Sequence, residues 1–411
     1  MHLLSGALRT YAWGSRTAIA ALCGRPVPSD HPEAELWLGS HPADPARLLT
    51  DDGSRSLLDA IDADPAGQLG DRARTGFGDR LPFLLKLLAA EEPLSLQAHP
   101  SAEQAKEGFL REEADGIALD SPERNYRDDS HKPELVVALT RFEALAGFRD
   151  PHRTVELLRA LDVPELAHHI ELLAGQPDSA GLRALFTTWI TLPQPALGAL
   201  LPRILDGCVR YLAAAPGAER PFANEVRTVL GLGESYPGDA GVLASLLLNR
   251  VTLEPGEGLY LDAGNLHAYL HGLAVEMMAN SDNVLRGGLT PKHVDVPELL
   301  RVLDFEPLTG SFLLPAPVPG TGMHVYDTPA PEFSLARVDL ARDGVANPAA
   351  VEFDASGPRI LLCTSGSVTI RGGDDTLVLD QGDAAWIAAS DPVLTASAST
   401  PDAQLFSASV G

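Results

Sequence analysis

The chain has 411 residues and a formal net charge of −25 at pH 7, which argues against a general nucleic-acid or membrane surface because both of those partners are anionic. Its composition is that of a soluble globular protein, and a chain of this length is expected to form two or three domains. If the ligand is an anion, basic residues must be gathered in one place against this acidic background.

Three widely separated cysteines, Cys23, Cys208 and Cys363, predict neither a disulfide framework nor a cysteine-based zinc site. The N-terminal residues contain no apolar core long enough for a signal peptide. Residues 184–202 carry no charge, but prolines interrupt them, so we expect a buried helix, a turn and a second helix there. The protein is therefore expected in the cytoplasm, without a membrane partner.

Aromatic residues and one lysine stand out in the first hundred residues. Tyr11, Trp13 and Trp37 are expected in the core rather than against a ligand, because large aromatic side chains dominate core burial. Lys86 interrupts the apolar run of residues 81–90. A lysine in such a run either extends to solvent or points into a functional cavity, and the local sequence leaves both open.

Residues 94–99 alternate apolar and polar side chains, which predicts a short strand. Ser95, Gln97 and His99 then share one face of that strand. An imidazole and an amide oxygen that converge on one point suit a borderline metal such as zinc. A hydrogen-bonded structural pair fits the same spacing, so these two residues alone do not decide.

The segment HKPELVVAL at residues 131–139 places three polar residues before a predicted buried strand. Pro133 holds Lys132 in an extended conformation. A carboxylate such as Glu134 at the start of a buried strand is costly unless it is paired or bound to a metal. Together with His131, these residues are a better functional signal than any of them alone.

Residues 150–247 change to helical patterns. Leu182, Leu185, Phe186 and Trp189 fall at the i, i+3, i+4 and i+7 positions of an amphipathic helix. We therefore predict an α-helical insert that separates two β segments carrying the polar clusters.

Residues 253–293 hold the densest set of chemically active side chains. Leu259 and Leu261 alternate with polar neighbours between two turn signals, which predicts a half-buried strand. Fixed acids and bases after a strand and a turn are the usual layout of a metal or catalytic pocket, although solvated charges at a sheet edge remain the alternative. The side chains in question are His267, Tyr269, Glu276, Asp282, Arg286 and Lys292.

The C-terminal hundred residues are β-rich again. Residues 381–387 repeat the pattern of residues 255–261, a glycine–acid turn before a short strand, which is typical of double-stranded β-helix (jelly-roll) domains. The second copy has no histidine and should lack a metal.

The predicted fold is thus mainly β with an α-helical insert. A cupin-like jelly-roll catalytic domain is expected from residues 1–149 and 248–308, a helical domain from residues 150–247, and a second jelly roll from residues 309–411.

The polar residues assemble into one hypothetical site. Gln97, His99, Glu134 and His267 form a plausible zinc shell with room for a water or a substrate oxygen. Tyr269, Glu276 and Asp282 would add proton-transfer and hydrogen-bonding capacity. The cations that an anionic substrate would need are Lys86, His131, Lys132, Arg286 and Lys292.

The motifs QAHP at residues 97–100, HKPE at residues 131–134 and HAY…SDNVLRGGLTPK within residues 267–292 resemble type I mannose-6-phosphate isomerases (phosphomannose isomerases). The resemblance covers residues 11–305 and implies zinc-dependent interconversion of D-mannose 6-phosphate and D-fructose 6-phosphate through an enediol. Mannose breakdown and GDP-mannose supply both stay open as the pathway.

The same resemblance implies one Zn²⁺ per chain, held by Gln97, His99, Glu134 and His267, with cobalt and manganese as open alternatives. Arg286 matches the family's active-site arginine and Lys132 a lysine proposed to handle protons. The other expected pocket residues are Lys86, Ser95, His131, Tyr269, Glu276, Asp282 and Lys292.

Several roles stay open at this point. Lys132, Glu276 or a zinc-bound water could be the base, and His131 or Asp282 could open the sugar ring. Lys86, Arg286 and Lys292 are favoured for the phosphate.

Two competing functions remain. An iron(II) oxygenase also uses two histidines and a carboxylate, but Gln97 and the cations argue against it. A non-enzymatic sugar-phosphate-binding jelly roll would not need Lys132 and Arg286 beside the metal. We expect a monomer whose partner is a small sugar phosphate, without nucleic acid.

Overall fold

The computed structural model describes residues 1–213, 220–310, 312–319, 321–341, 349–354 and 356–411. Residues 214–219 of the predicted insert and residues 311, 320, 342–348 and 355 of the predicted C-terminal domain lie outside the described residues. Within the described ranges the chain is mainly β, with several antiparallel sheets and a block of helices, which confirms the coarse fold prediction.

The strands are numbered along the chain. They are β1 (His2–Ser5), β2 (Ala7–Arg9), β3 (Glu35–Leu38), β4 (Arg47–Thr50), β5 (Gly53–Ser56), β6 (Phe83–Ala90), β7 (Leu96–Ala98), β8 (Glu134–Ala138), β9 (Phe142–Phe148), β10 (Leu248–Leu253), β11 (Gly258–Leu261), β12 (His267–Ala279), β13 (Leu285–Gly288), β14 (Phe312–Leu313), β15 (Ala316–Pro317), β16 (Met323–Tyr326), β17 (Ser334–Leu340), β18 (Ala350–Phe353), β19 (Arg359–Ser365), β20 (Ser367–Gly372), β21 (Asp375–Asp380), β22 (Ala384–Ile387), β23 (Leu394–Ala398) and β24 (Ala403–Ser409).

Several helices begin at a residue whose side chain accepts a hydrogen bond from the first turn. Ser101 and Gln104 form a capping box before the helix Ala102–Ala114, and Asp150 accepts a hydrogen bond from the Arg153 N–H at the start of the helix Pro151–Ala160. The α-helices are α1 (Ala18–Leu22), α2 (Leu57–Ala63), α3 (Pro65–Phe77), α4 (Ala102–Ala114), α5 (Pro151–Ala160), α6 (Ala167–Gly175), α7 (Ser179–Ile190), α8 (Gln194–Leu212), α9 (Ala223–Ser235), α10 (Gly241–Ser245) and α11 (Val296–Val302), with a 3₁₀ turn at Pro164–Leu166.

The long strand β12 organises the sheet that carries the polar clusters. Its second half pairs with β6 and β8, so that Glu276 lies opposite Lys86 on one side and Val136 on the other. Its first residue, His267, lies opposite Gln97 of β7. The next strand in this ladder is β13, which places Arg286 opposite Gln97.

The helices α5 to α10 lie between β9 and β10 in the chain, as the predicted insert requires. The side chains of Leu182, Leu185, Phe186 and Trp189 on α7 are buried, which confirms the predicted apolar stripe. The uncharged stretch of residues 184–202 forms the end of α7, a turn and the start of α8, also as predicted.

In the described part of the chain, no single helix is long and apolar enough to cross a membrane. The helices α7 and α8 are long and apolar enough only when they are taken together, and the chain bends by 111° between them.

Strands from both ends of the chain share the nine-stranded sheet. β1 pairs with β22 on one side and with β4 on the other. Leu4 packs in one core with Trp386 and Phe406, which are fully buried. A four-stranded sheet of β18, β23, β20 and β21 completes the C-terminal half. The predicted domain boundaries stay a prediction. Within residues 1–56, β1, β4 and β5 belong to the nine-stranded sheet, whereas β2 and β3 belong to the eleven-stranded sheet that contains β6, β8 and β12.

Candidate metal centre

Three strand ends bring His99, Glu134 and His267 together. His99 follows β7, Glu134 begins β8 and His267 begins β12. One potential ligand atom from each residue lies within 4.8 Å of the others. The Nε2 atoms of His99 and His267 are 3.2 and 3.3 Å from the two carboxylate oxygens of Glu134. All three residues are buried, so the cluster has the closeness and enclosure of a metal site.

Backbone carbonyls orient both imidazoles. The Nδ1 atom of His99 donates to the Asn283 carbonyl at 2.7 Å, and that of His267 donates to the Asn265 carbonyl at 2.9 Å. Each ring therefore presents Nε2 to the cluster, as metal-binding histidines do. Among the described residues, the buried His99 Nε2 has no hydrogen-bond partner. A metal ion would satisfy this atom.

The protonation states also suit a divalent cation. Burial lowers the pKa of His99 to about 4, which leaves its imidazole neutral. Burial alone would raise the pKa of Glu134, but Lys132 and His99 hold it well below its ordinary value. The Lys132 Nζ lies 2.9 Å from Glu134 Oε1. Neutral imidazoles and an ionised carboxylate are the forms that bind metal.

Gln97 and Tyr269 border this cluster in different ways. Gln97 lies between His267 and Arg286 in the strand ladder and lines a neighbouring cavity. Its role as a fourth ligand stays a prediction. The Tyr269 hydroxyl donates to Glu134 Oε2 at 3.3 Å, and burial raises the pKa of Tyr269 well above its ordinary value. Tyr269 is therefore a neutral phenol that holds the carboxylate.

A cavity of about 580 Å³ opens beside the cluster, and its wall combines cations, aromatics and small polar groups. Its lining includes the predicted residues Lys86, Ser95, Gln97, Lys132, Asp282, Arg286 and Lys292. The strands and loops therefore gather most of the predicted polar residues at one place.

Arg127, Arg286 and Lys292 are the unpaired cations of this cavity. In the part of the chain that the structure describes, none of the three forms an ion pair with a carboxylate. Burial, followed by the charge of Arg127, lowers the pKa of Arg286. Burial, followed by Arg286 and Arg127, lowers the pKa of Lys292. Cations that repel each other without a carboxylate partner form a ready anion site.

Arg127 was missed in the sequence. It lies in the irregular loop between α4 and β8, where no periodicity indicates which way a side chain points. The sequence offered one indication of a functional role for Arg127, namely its position as a basic residue among the acids of SPERNYRDD.

Lys86 has a different environment from these free cations. It is buried and lines the cavity, which decides between the two alternatives that the sequence left open. Its Nζ lies 2.8 Å from Glu276 Oε2 and 3.7 Å from Glu35 Oε1. Burial alone would lower the pKa of Lys86, but Glu276 and Glu35 hold it above its ordinary value. Burial raises the pKa of Glu276, and the nearby Glu134 adds to that effect.

Asp282 and His131 line different cavities. Asp282 lines the cavity, with Oδ1 at 3.4 Å from His41 Nε2. Burial would raise the pKa of Asp282, but His41 and Lys132 keep it below its ordinary value. His131 instead contacts Glu332 at 2.6 Å and lines a separate cavity of about 50 Å³. The structure therefore does not bring His131 to the metal cluster.

The aromatic residues near the N-terminus correct one prediction. Tyr11 is 38% exposed and lines the cavity together with Trp13, so its placement in the core was wrong. Both residues follow β2, and the partly buried Trp13 also packs against a core cluster that includes Leu94 and Tyr269. Trp37 is buried as predicted and donates from Nε1 to Glu35 Oε2 at 2.8 Å.

A buried histidine–carboxylate cluster beside a cation-lined cavity defines a class of protein, metal-dependent enzymes with anionic substrates. Residues 1–151 match the family model described as "Phosphomannose isomerase type I, catalytic domain". The chain is 38% identical over 401 residues to a mannose-6-phosphate isomerase of Salmonella typhimurium, with 97% of each chain covered. It is 39% identical over 398 residues to one of Escherichia coli, with 96% of each covered. The chain belongs to the type I phosphomannose isomerase family.

Solved structures give the same result. A mannose 6-phosphate isomerase bound with zinc and yttrium superposes with a TM-score of 0.88 at 36% identity, covering 100% of this chain and 99% of that chain. A zinc-bound holo structure reaches the same TM-score at 37% identity.

Proposed function

We propose that the chain is a zinc-dependent aldose–ketose isomerase that interconverts D-mannose 6-phosphate and D-fructose 6-phosphate. The observation that carries the proposal is a buried His–Glu–His cluster beside a cavity whose lining includes three cations without carboxylate partners among the described residues. The homologous isomerases named above support the same reaction. The iron(II) oxygenase and the non-enzymatic binding protein are not favoured, because neither matches the family to which the chain belongs.

One zinc ion would be held by His99, Glu134 and His267, with Gln97 as the proposed fourth ligand. Two imidazoles, a carboxylate and an amide oxygen leave room for a substrate oxygen. When bound, zinc supplies Lewis-acid stabilisation of an oxygen that gains negative charge. Tyr269 and the two backbone carbonyls keep the ligands oriented without occupying the metal-facing atoms.

We assign the phosphate to Arg127, Arg286 and Lys292 rather than to Lys86. A phosphate monoester carries about 1.5 to 2 negative charges near pH 7, and only cations without carboxylate partners can neutralise it fully. Lys86 already forms an ion pair with Glu276. Arg286 is the member of the trio next to Gln97 in the ladder, so it also suits charge that develops on the sugar oxygens.

Isomerisation moves one proton from C2 to C1 of the open-chain sugar and a second proton from the C2 hydroxyl to the former aldehyde oxygen. Lys132 is the proposed proton carrier because it lines the cavity beside the metal ligand Glu134. Glu276 is the second candidate, because its carboxylate contacts the cavity-lining Lys86 at 2.8 Å. Asp282 is proposed to open the sugar ring and Ser95 to bind a hydroxyl, since both line the cavity.

The domain organisation, the cellular location and the oligomeric state are proposed as well. We propose that the two β halves are cupin-like jelly rolls with the domain boundaries predicted above, and that the C-terminal half is metal-free. The enzyme is proposed to act as a cytoplasmic monomer in sugar-phosphate metabolism, including GDP-mannose supply.

Turnover of mannose 6-phosphate to fructose 6-phosphate tests the proposal, measured before chelation, after chelation and after zinc is restored. Activity that is lost with the metal and regained with zinc is the expected result. Folded, zinc-loaded protein without turnover would overturn the isomerase assignment. Iron content and oxygen uptake would then test the oxygenase alternative, and sugar-phosphate binding without turnover the non-enzymatic one.

A further inference from the structure

Asn283 is fully buried and connects the metal centre to the loop that carries Arg127. Its backbone carbonyl accepts the hydrogen bond from His99 Nδ1 at 2.7 Å. Its side-chain Oδ1 accepts from the backbone N–H groups of Arg127 at 2.7 Å and Asp128 at 3.2 Å. One residue therefore touches both a candidate metal ligand and the backbone of a candidate phosphate ligand.

The other side of the Asn283 amide fixes the same loop further along. Its Nδ2 donates to the Asp128 carbonyl at 2.8 Å and to the Ser130 carbonyl at 2.9 Å. Nδ2 also donates to Asp128 Oδ1 at 3.2 Å. Two N–H donors and three acceptor oxygens thus meet one planar amide, which uses the full hydrogen-bonding capacity of an asparagine. An aspartate of the same shape could accept but not donate.

Neighbours of Asn283 strengthen the connection. The Ser281 hydroxyl donates to Asp128 Oδ1 at 2.8 Å, and the Asp282 backbone N–H donates to Asp128 Oδ2 at 2.8 Å. The Arg127 side chain, by contrast, has no ion pair among the described residues. Its position therefore depends on its backbone, which Asn283 holds.

We propose that Asn283 is a positioning residue that fixes the separation between the metal centre and the phosphate-binding Arg127. This inference rests on the proposed function. Isomerisation takes place at C1 and C2, while the phosphate is bound at C6, so both ends of the substrate must be held at one distance. Asn283 sets that distance and thereby makes a sugar 6-phosphate, rather than a free sugar, the productive substrate.

Asn283→Asp is the test variant because it keeps the shape and removes the donors to the Asp128 and Ser130 carbonyls. We expect KM for mannose 6-phosphate and the inhibition constant of inorganic phosphate each to rise about tenfold, with a smaller change in kcat. Zinc content, measured on the purified protein, should stay at the wild-type value because the His99 contact uses the backbone carbonyl.

Asn280→Asp is the matched control on the same segment. The Asn280 side chain makes one long hydrogen bond among the described residues, from Nδ2 to the Leu81 carbonyl at 3.4 Å. KM and phosphate inhibition of this variant should stay within about twofold of wild type.

A second pair of variants separates positioning from general damage. If Asn283 acts through Arg127, Asn283→Asp should change KM little when Arg127→Met is already present. Wild-type-like KM and phosphate inhibition in Asn283→Asp, or full additivity with Arg127→Met, would overturn the inference. Absence of turnover in zinc-loaded wild type would refute the proposed function instead, and phosphate binding by calorimetry would still report on Asn283.

Discussion

Replacing Lys86 by methionine should destabilise the protein strongly, because Lys86 neutralises two buried carboxylates. Glu276 is 2% exposed and Glu35 is 8% exposed. Their oxygens lie 2.8 and 3.7 Å from the Lys86 Nζ. Methionine preserves the apolar packing of β6 but leaves both carboxylates buried without a cation.

Breaking a buried pair by removing one partner costs about 3–5 kcal/mol. That is a large part of an ordinary unfolding free energy of about 5–15 kcal/mol. Urea unfolding of wild type and Lys86→Met, followed by circular dichroism, measures the difference. Lys106→Met on α4 is the matched control, since Lys106 is exposed, and it should change the unfolding free energy by less than about 0.5 kcal/mol.

The pH dependence provides a sharper test of the same reasoning. The pKa of Glu276 is already raised by burial, and loss of Lys86 should raise it further. A carboxyl group with a raised folded pKa is protonated at low pH and becomes costly as pH rises through that pKa. The loss in Lys86→Met should therefore be smaller near pH 5.5 than near pH 8. An equal loss at both pH values, or one below about 1 kcal/mol, would refute the buried-pair argument.

Three further outcomes are expected. Arg127→Met should raise KM for mannose 6-phosphate about tenfold with little change in kcat, and steady-state kinetics that show an unchanged KM would remove Arg127 from the phosphate site. Glu134→Gln should weaken zinc binding at least about 10- to 100-fold, measured by competition with a chelator, and wild-type affinity would contradict the ligand assignment. Glu332 raises the pKa of His131, so this pair stabilises the fold below the ordinary histidine pKa and loses that effect as pH rises through the raised value. Glu332→Gln should therefore lower the melting temperature more near pH 5.5 than near pH 8.5, and a uniform shift would show that the charge is not involved.

Local sequence was sufficient for the parts of the site that depend on strand alternation. Gln97 and His99 were predicted to share a face, and Gln97 lines the cavity while His99 enters the metal cluster. A carboxylate at the start of a buried strand predicted that Glu134 needs a partner, and it has two histidines and a lysine. Alternation in a strand fixes side-chain direction without tertiary information, which is why local sequence could indicate these residues together.

Other features of the fold and the site depend on contacts between residues that are far apart in the sequence. The direction of Lys86 follows from its register opposite Glu276, a partner 190 positions away in the sequence. Arg127 lies in a loop whose course is set by Asn283, which no periodicity could reveal. The pairing of β1 with β22 joins the two ends of the chain. Contacts of such sequence separation leave no local pattern.

An irregularity within β12 allows this one strand to contribute both His267 to the metal cluster and Glu276 to the ion pair with Lys86. His267 and Glu276 are separated by an odd number of positions, so a regular strand would point them to opposite faces. The register shifts between Tyr269 and His271, and a bulge of this kind changes the alternation by one residue. Gly272 follows with a φ of +124°, and a Cβ there would lie 2.7 Å from the Arg141 carbonyl oxygen. The bulge and the glycine together let the first half of β12 supply a metal ligand while the second half supplies the acid that neutralises Lys86.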